Sequence, residues 1–144
     1  MKKRILQLII ALFFALPGVM AQSVTMPDVV VPPGEILVPV NMTGFSNVAA
    51  ITLEIEYDAQ VLSFVGITNQ TLAGNWLANY STLNQKLVIT YQATPYGTGY
   101  PINGKLLDIR FNYLGGFSTP LEFGNCEIAS SNLQPITNVT YVDG

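Results

Sequence analysis

The sequence predicts an all-β fold: a β-sandwich or jelly roll of about nine strands in a single domain. Three observations predict it. From Ile51 to Asp58 the chain alternates with period two, placing Ile51, Leu53, Ile55 and Tyr57 on one side and Thr52, Glu54, Glu56 and Asp58 on the other. Such alternation marks a strand with one buried and one wet face. Lys105 to Tyr113 repeats the pattern, with Leu107, Ile109, Phe111 and Tyr113 set against Asp108, Arg110 and Asn112. Between the apolar runs stand turn signals rich in Gly, Pro and Asn, and after the amino-terminal stretch only Asp58 to Leu62 hints at helical period.

In order, Val24 to Val31 reads as a first strand, with Pro27 placing it at a sheet edge. Pro32-Pro33-Gly34 turns the chain into Glu35 to Met42. Gly44-Phe45-Ser46-Asn47 turns it again into the strand ending at Asp58. There the polar corner Asp58-Ala59-Gln60 leads to Val61 to Ile67, with the Asp58 side chain suited to bonding nearby backbone. After a polar loop, Asn75 to Ser81 and Lys86 to Ala93 form a pair joined through Thr82-Leu83-Asn84-Gln85. Thr94 to Gly104 is a long loop rich in Gly, Pro and Tyr. Lys105 to Tyr113, Leu121 to Ala129 and Ile136 to Val142 complete the set.

The chain has 144 residues and opens with Met1-Lys2-Lys3-Arg4, followed by the nearly continuous apolar run Ile5 to Val19. With Val19 and Ala21 at the positions a signal peptidase reads, this predicts a secretory signal peptide cleaved after Ala21. A retained anchor is the competing reading, but the run is short for a membrane span and Pro17-Gly18 interrupts it. Residues 22–144 then make one domain, large enough to bury a core without disulfides or metals. Cleavage leaves Lys86, Lys105 and Arg110 as the basic residues against 9 acidic ones. No basic patch exists, which argues against nucleic acid and anionic membranes as partners. The lone Cys126 allows no intrachain disulfide, and its acidic surroundings favour a small core residue over a reactive thiol.

Little in the chain suits catalysis. With no histidine, the commonest general base, the nucleophile–His arrangements and the usual zinc ligands are missing. Gly97-Thr98-Gly99 lacks the strand-to-helix setting of a phosphate loop. Glu54 and Glu56 lie roughly 7 Å apart on one strand face. They project side by side, however, where a glycosidase needs carboxyls flanking a bond across a cleft. A solvated sheet face or an acidic partner-binding face explains them better. No acidic cluster forms a calcium loop, and a structural calcium here would have to be held partly by backbone carbonyls. Trp76, Tyr80, Tyr91, Tyr96 and Tyr100 would suit a planar sugar platform if exposed; aromatics at alternate strand positions more often fill a core. Four tripeptides, beginning at Asn41, Asn69, Asn79 and Asn138, match the glycosylation acceptor pattern and carry no functional reading here.

The ordered pieces Pro33-Gly34-Glu35, Tyr57-Asp58-Ala59-Gln60-Val61-Leu62, Lys86-Leu87-Val88-Ile89, Gly97-Thr98-Gly99 and Gly104 to Phe111 together resemble a cohesin domain. The likeness covers nearly all of the mature chain, and the Tyr57-Asp58 corner is its most specific piece. It implies a nine-stranded jelly-roll sandwich that is not an enzyme, needs no cofactor, and docks calcium-loaded dockerin modules of polysaccharide-degrading enzymes. Because the fold is also similar to cellulose-binding modules, direct polysaccharide binding is the alternative, followed by a structural or adhesive surface domain. The resemblance implies a partner face built on Ala50, Thr52, Glu54 and Glu56, joined by Tyr80, Tyr91, Thr94 and Tyr96. The best-known members carry Asn and Asp where this chain has Ala50 and Thr52, and an acid at Thr94. These departures weigh against the familiar dockerin specificity and leave room for a divergent member with another partner. Tyr91 is open at this stage: periodicity buries it with Leu87 and Ile89, whereas a gapless match to the family turns it outward.

Overall fold

The computed structural model describes residues 20–144. Of the stretch read as a signal peptide, all but Met20 and Ala21 therefore lies outside the described residues. Strands β1 (Ser23–Thr25), β2 (Gly34–Val48), β3 (Ala50–Glu56), β4 (Leu62–Thr68), β5 (Gly74–Ser81), β6 (Lys86–Ala93), β7 (Tyr100–Tyr113), β8 (Glu122–Phe123), β9 (Glu127–Ala129) and β10 (Thr140–Val142) make up the fold. They form two five-stranded sheets. One runs β10-β1-β2-β7-β4; the other runs β5-β6-β3-β8, with β9 also paired to β3. The expected all-β sandwich is observed, with ten strands because Leu121 to Ala129 divides into β8 and β9.

Alternation explains the layers. Val38, Val40 and Met42 of β2 and Leu107, Ile109 and Phe111 of β7 point inward from the first sheet. Ile51, Leu53 and Ile55 of β3 and Leu87 and Ile89 of β6 meet them from the second. Each such side chain contributes about 1.5–3 kcal/mol on burial. Tyr57 closes one end of this core, its ring 5.3 Å from Tyr80 and 4.9 Å from Phe111 between centroids. The corner after it forms as its residues dictate: Asp58 Oδ1 accepts from the Gln60 amide (2.8 Å), and the Asp58 carbonyl accepts from Val61 and Leu62.

Besides the loop read over Thr94 to Gly104, whose residues from Tyr100 onward begin β7, three elements differ from expectation. First, β2 does not turn at Gly44 but continues to Val48 through three shifts of register against β7. Gly44 makes this passage possible: its φ is +80°, and a Cβ there would meet the Ala21 carbonyl oxygen at 2.8 Å. The sheet-to-sheet crossing falls at Ala49, whose N–H bonds Ala129 and whose carbonyl accepts from Ala93, both at 2.8 Å. Second, the amino-terminal strand is confined to Ser23–Thr25, and Pro27 to Pro33 runs on outside the sheets. Third, Ile136 to Val142 shortens to Thr140–Val142, which pairs in parallel with β1.

Asp108 also departs from simple alternation. It lies on the outer side of β7, yet is only 4% exposed because the segment after β4 folds over it. Lys105 Nζ (2.8 Å) and Asn69 Nδ2 (2.6 Å) both donate to its Oδ2. Burial pushes the carboxyl up, but the bonds from Lys105 and Asn69 and the Lys105 charge outweigh it and hold it below the usual range. A depressed folded pKa means that its stabilisation is complete above the ordinary carboxylate range. That stabilisation is lost as pH falls through the lowered value. Asp108→Asn should lower stability near neutral pH by about 1–3 kcal/mol in denaturant titrations. The difference from the parent protein should shrink as the solution is acidified through that range.

Candidate functional site

The second sheet presents a broad outer face whose composition follows from its register. β3 and β6 pair without a slip from Ala50↔Gln92 to Glu56↔Lys86. β5 and β6 do the same from Gly74↔Ala93 to Ser81↔Lys86. With Ile51, Leu53 and Ile55 committed to the core, every second residue across the sheet must face outward. One cross-strand row holds Asn75, Gln92, Ala50 and Ala129; the next holds Leu77, Thr90, Thr52 and Glu127. A third holds Asn79, Val88 and Glu54, and the last Ser81, Lys86, Glu56 and Glu122. The middle of the face is thus small, hydroxylated or aliphatic, with Leu77 68% exposed. Acidic side chains gather toward the Glu56–Glu122 end and the β8–β9 edge.

Ala50, Thr52, Glu54 and Glu56 lie on this face as expected. Thr94 and Tyr96 follow β6 and are exposed near the Gln92 end, Tyr96 at 67%. Tyr91 and Tyr80 do not join them. Tyr91 is 3% exposed and its hydroxyl donates to the Ala73 carbonyl at 2.9 Å. The period-two reading of β6 therefore holds, and the outward register is corrected. Burial pushes the Tyr91 hydroxyl up to about 12. Tyr80 packs inward against Tyr57, since β5 places Trp76, Ala78 and Tyr80 on the core side. Trp76 stacks over Tyr91 at 4.6 Å and donates its Nε1 hydrogen to the Leu72 carbonyl. Of the five aromatics considered for a sugar platform, Tyr96 alone is an exposed side chain.

Glu54 has a structural job at the edge of this face. Its carboxylate accepts from Lys86 Nζ at 2.7 Å and from the Asn125 amide at 3.2 Å, and Lys86 also reaches Glu56 at 3.1 Å. The bond from Lys86, then that from the Asn125 backbone, holds the Glu54 carboxyl below the usual range; Glu54 and then Glu56 push the Lys86 amine up. The Glu54 backbone is tied as well: its carbonyl accepts from Gly124 (2.8 Å) and its amide donates to Cys126 Sγ (3.4 Å). Gly124 suits this position, because a Cβ there would press on the Glu54 carboxylate and force it to shift from its bonds to Lys86 and Asn125. Cys126 is half-buried and serves as an acceptor in place of a missing ladder bond between β8 and β9, and burial pushes its thiol up.

Sequence reasoning missed Leu77, Asn79, Val88, Thr90, Glu122 and Glu127 as members of the face. The signal for the first two was the alternation of Asn75, Leu77 and Asn79 against Trp76, Ala78 and Tyr80. A groove of about 630 Å³ at one end of the sandwich is lined mainly by aliphatic and loop residues such as Val29, Val30, Ile36 and Phe117, with Asp28 its one carboxylate side chain. Among the described residues no group of His, Cys, Asp and Glu is placed to hold a metal ion.

A family model described as "Cohesin domain" matches residues 22–144. No curated protein sequence matches the chain. Solved structures with the same fold include a chain of the Coh-OlpA–Doc918 complex, a type I cohesin–dockerin complex from Clostridium thermocellum. It superimposes with a TM-score of 0.75 at 17% identity, covering 86% of this chain and 96% of that one. The sixth cohesin of Acetivibrio cellulolyticus scaffoldin B, solved with a Cel5 dockerin, gives 0.72 at 19% identity, covering 86% and 97%. A non-cellulosomal cohesin from the archaeon Archaeoglobus fulgidus gives 0.68 at 21% identity, covering 85% and 87%.

Replacing Cys126 with valine should leave the Glu54 amide without an acceptor, costing about 1 kcal/mol in a thermal or denaturant melt. Cys126→Ser, which can still accept, should cost less. Glu54→Ala should speed hydrogen exchange at Asn125 while leaving the Ile51 and Leu53 amides protected.

Proposed function

Because the chain belongs to the cohesin domain family, we propose that it is a non-catalytic docking module. It captures a dockerin-bearing protein of polysaccharide breakdown through the outer face of the β5-β6-β3-β8 sheet. On this reading it acts outside the cell, after removal of the amino-terminal stretch. The observation that carries the proposal is the face itself: four cross-strand rows, unbroken across β5, β6 and β3, with a small, uncharged centre at Thr52, Val88 and Thr90. A partner of ordinary size buries roughly 800 Å² of each surface, which a flat sheet face of this kind can supply. The inward turn of Trp76, Tyr80 and Tyr91 leaves the polysaccharide-binding alternative without a coplanar platform. The missing histidine and the paired state of Glu54 support a binding role over catalysis.

The contact set on this proposal is Ala50, Thr52, Leu77, Val88, Thr90 and Glu56, with Thr94 and Tyr96 at one rim. Glu54 acts mainly by holding the β8–β9 edge in place. Capture of dockerin-bearing proteins, tested with calcium and with a chelator, is the direct experiment. Binding in calcium that disappears with the chelator is expected, and no binding to any dockerin-bearing protein would sink the proposal. Thr52→Arg puts a long charged side chain at the centre of the face and should weaken capture about a hundredfold by calorimetry. Asn112→Arg, on the outer side of the other sheet, should leave the affinity unchanged.

A further inference from the structure

Each sheet of the sandwich has two edges, and three of the four are guarded. β10 is only three residues long. β4 is bent by a register shift between Phe64 and Gly66. The β8–β9 edge is broken at Gly124 to Cys126 and carries Glu122 and Glu127. Short strands, bulges and charges are the usual means of keeping an edge from pairing with another chain. β5 has none of them. Its eight residues, GNWLANYS, pair with β6 without a bulge and contain no charge and no proline.

The direction of its free backbone groups follows from two hydrogen bonds. The Ala73 carbonyl accepts from Thr94, and the Ala49 carbonyl accepts from Ala93. Even-numbered residues of β6 therefore turn their N–H and C=O groups toward β5. The odd-numbered residues of β5 answer them. Among the described residues, Gly74, Trp76, Ala78 and Tyr80 are left with N–H and C=O groups aimed at the open edge.

We infer that β5 pairs with β5 of a second copy of this chain, antiparallel about a two-fold axis through Leu77. This inference does not rest on the docking reading. In that register Leu77 opposes Leu77 of the second copy, and Asn75 opposes Asn79, so apolar meets apolar and amide meets amide on the outer side. On the inner side Trp76 opposes Ala78, and Tyr80 opposes Gly74, setting each large ring against a small residue. The hydrogen-bonded positions are the even-numbered ones whose backbone groups are free, giving about eight new backbone bonds. Because β5 carries no charge, no like charges face each other across the paired strands. One strand thus satisfies the side-chain, hydrogen-bonding and charge requirements of an isologous interface at a single register. The product is one continuous sheet whose outer face joins both copies' docking faces.

Sedimentation of the full chain across the micromolar range tests this. A concentration-dependent monomer–dimer equilibrium is expected. Ala78→Pro removes an outward N–H without touching a β5–β6 bond and should raise the dimer dissociation constant at least tenfold with the melt of the monomer retained. In a Cys126→Ser background, Leu77→Cys should cross-link to itself under mild oxidation, since facing non-hydrogen-bonded positions lie at disulfide spacing. Asn75→Cys should not, because its opposite is position 79. A monomer at every concentration overturns the inference, whether or not the edge accepts a strand from another protein. A dimer in which Leu77→Cys fails to cross-link, or in which Asn75→Cys cross-links as fast, overturns it too. Should Ala78→Pro fail to fold, the two cysteine variants decide the matter alone.

Discussion

β3 is hydrogen-bonded along both edges, to β6 on one side and to β9 and β8 on the other. Its inner residues Ile51, Leu53 and Ile55 are fully committed to the core. A slip of one residue would bury Glu54 and Glu56 and expose three large aliphatic side chains, at a cost of several kcal/mol. The register of the whole second sheet is therefore fixed by burial, and the identity of the outer face follows from it. Thr52, Glu54 and Glu56 face outward because their neighbours cannot.

The same strand explains how the edge of the face is finished. β8 and β9 are interrupted opposite Glu54, whose carboxylate and backbone bond Gly124, Asn125 and Cys126. The interruption brings a thiol where a ladder carbonyl would otherwise stand. It also sets Glu122 and Glu127 beside Glu56 and Thr52. Glu54 thus shifts from an outward-facing acid to a staple; Lys86 is shared between Glu54 and Glu56, and the negative charge of the face extends from there to Glu122 and Glu127.

Much of this was legible in the sequence because clean alternation has one physical meaning. The inner and outer residues of β3 and of β6, the Asp58 corner and the core face of β7 all follow from it. Other features depend on long-range partners that no local pattern reveals. Gly44 reads as a turn, yet it carries β2 through a bulge because β7 continues opposite it. Asp108 reads as solvated, yet Asn69 and Lys105 close over it. Tyr80 reads as part of the partner face and Leu77 goes unremarked, because a large apolar residue occupies each face of β5, and only pairing with β6 decides which is inside. The family resemblance set Ala50, Thr52, Glu54 and Glu56 on the outer side of β3, where they lie, but misdirected Tyr91, where the local period was the better guide.

The central claim is that a protein partner covers the outer face of the β5-β6-β3-β8 sheet and not that of the other sheet. Hydroxyl-radical footprinting of the chain with and without its captured partner tests it most directly, because it reads aliphatic side chains one by one. Val88 should lose most of its reactivity in the complex, while Leu37 and Val65, exposed on strands of the other sheet, should keep theirs. Protection of Leu37 and Val65 with Val88 unchanged would contradict the account.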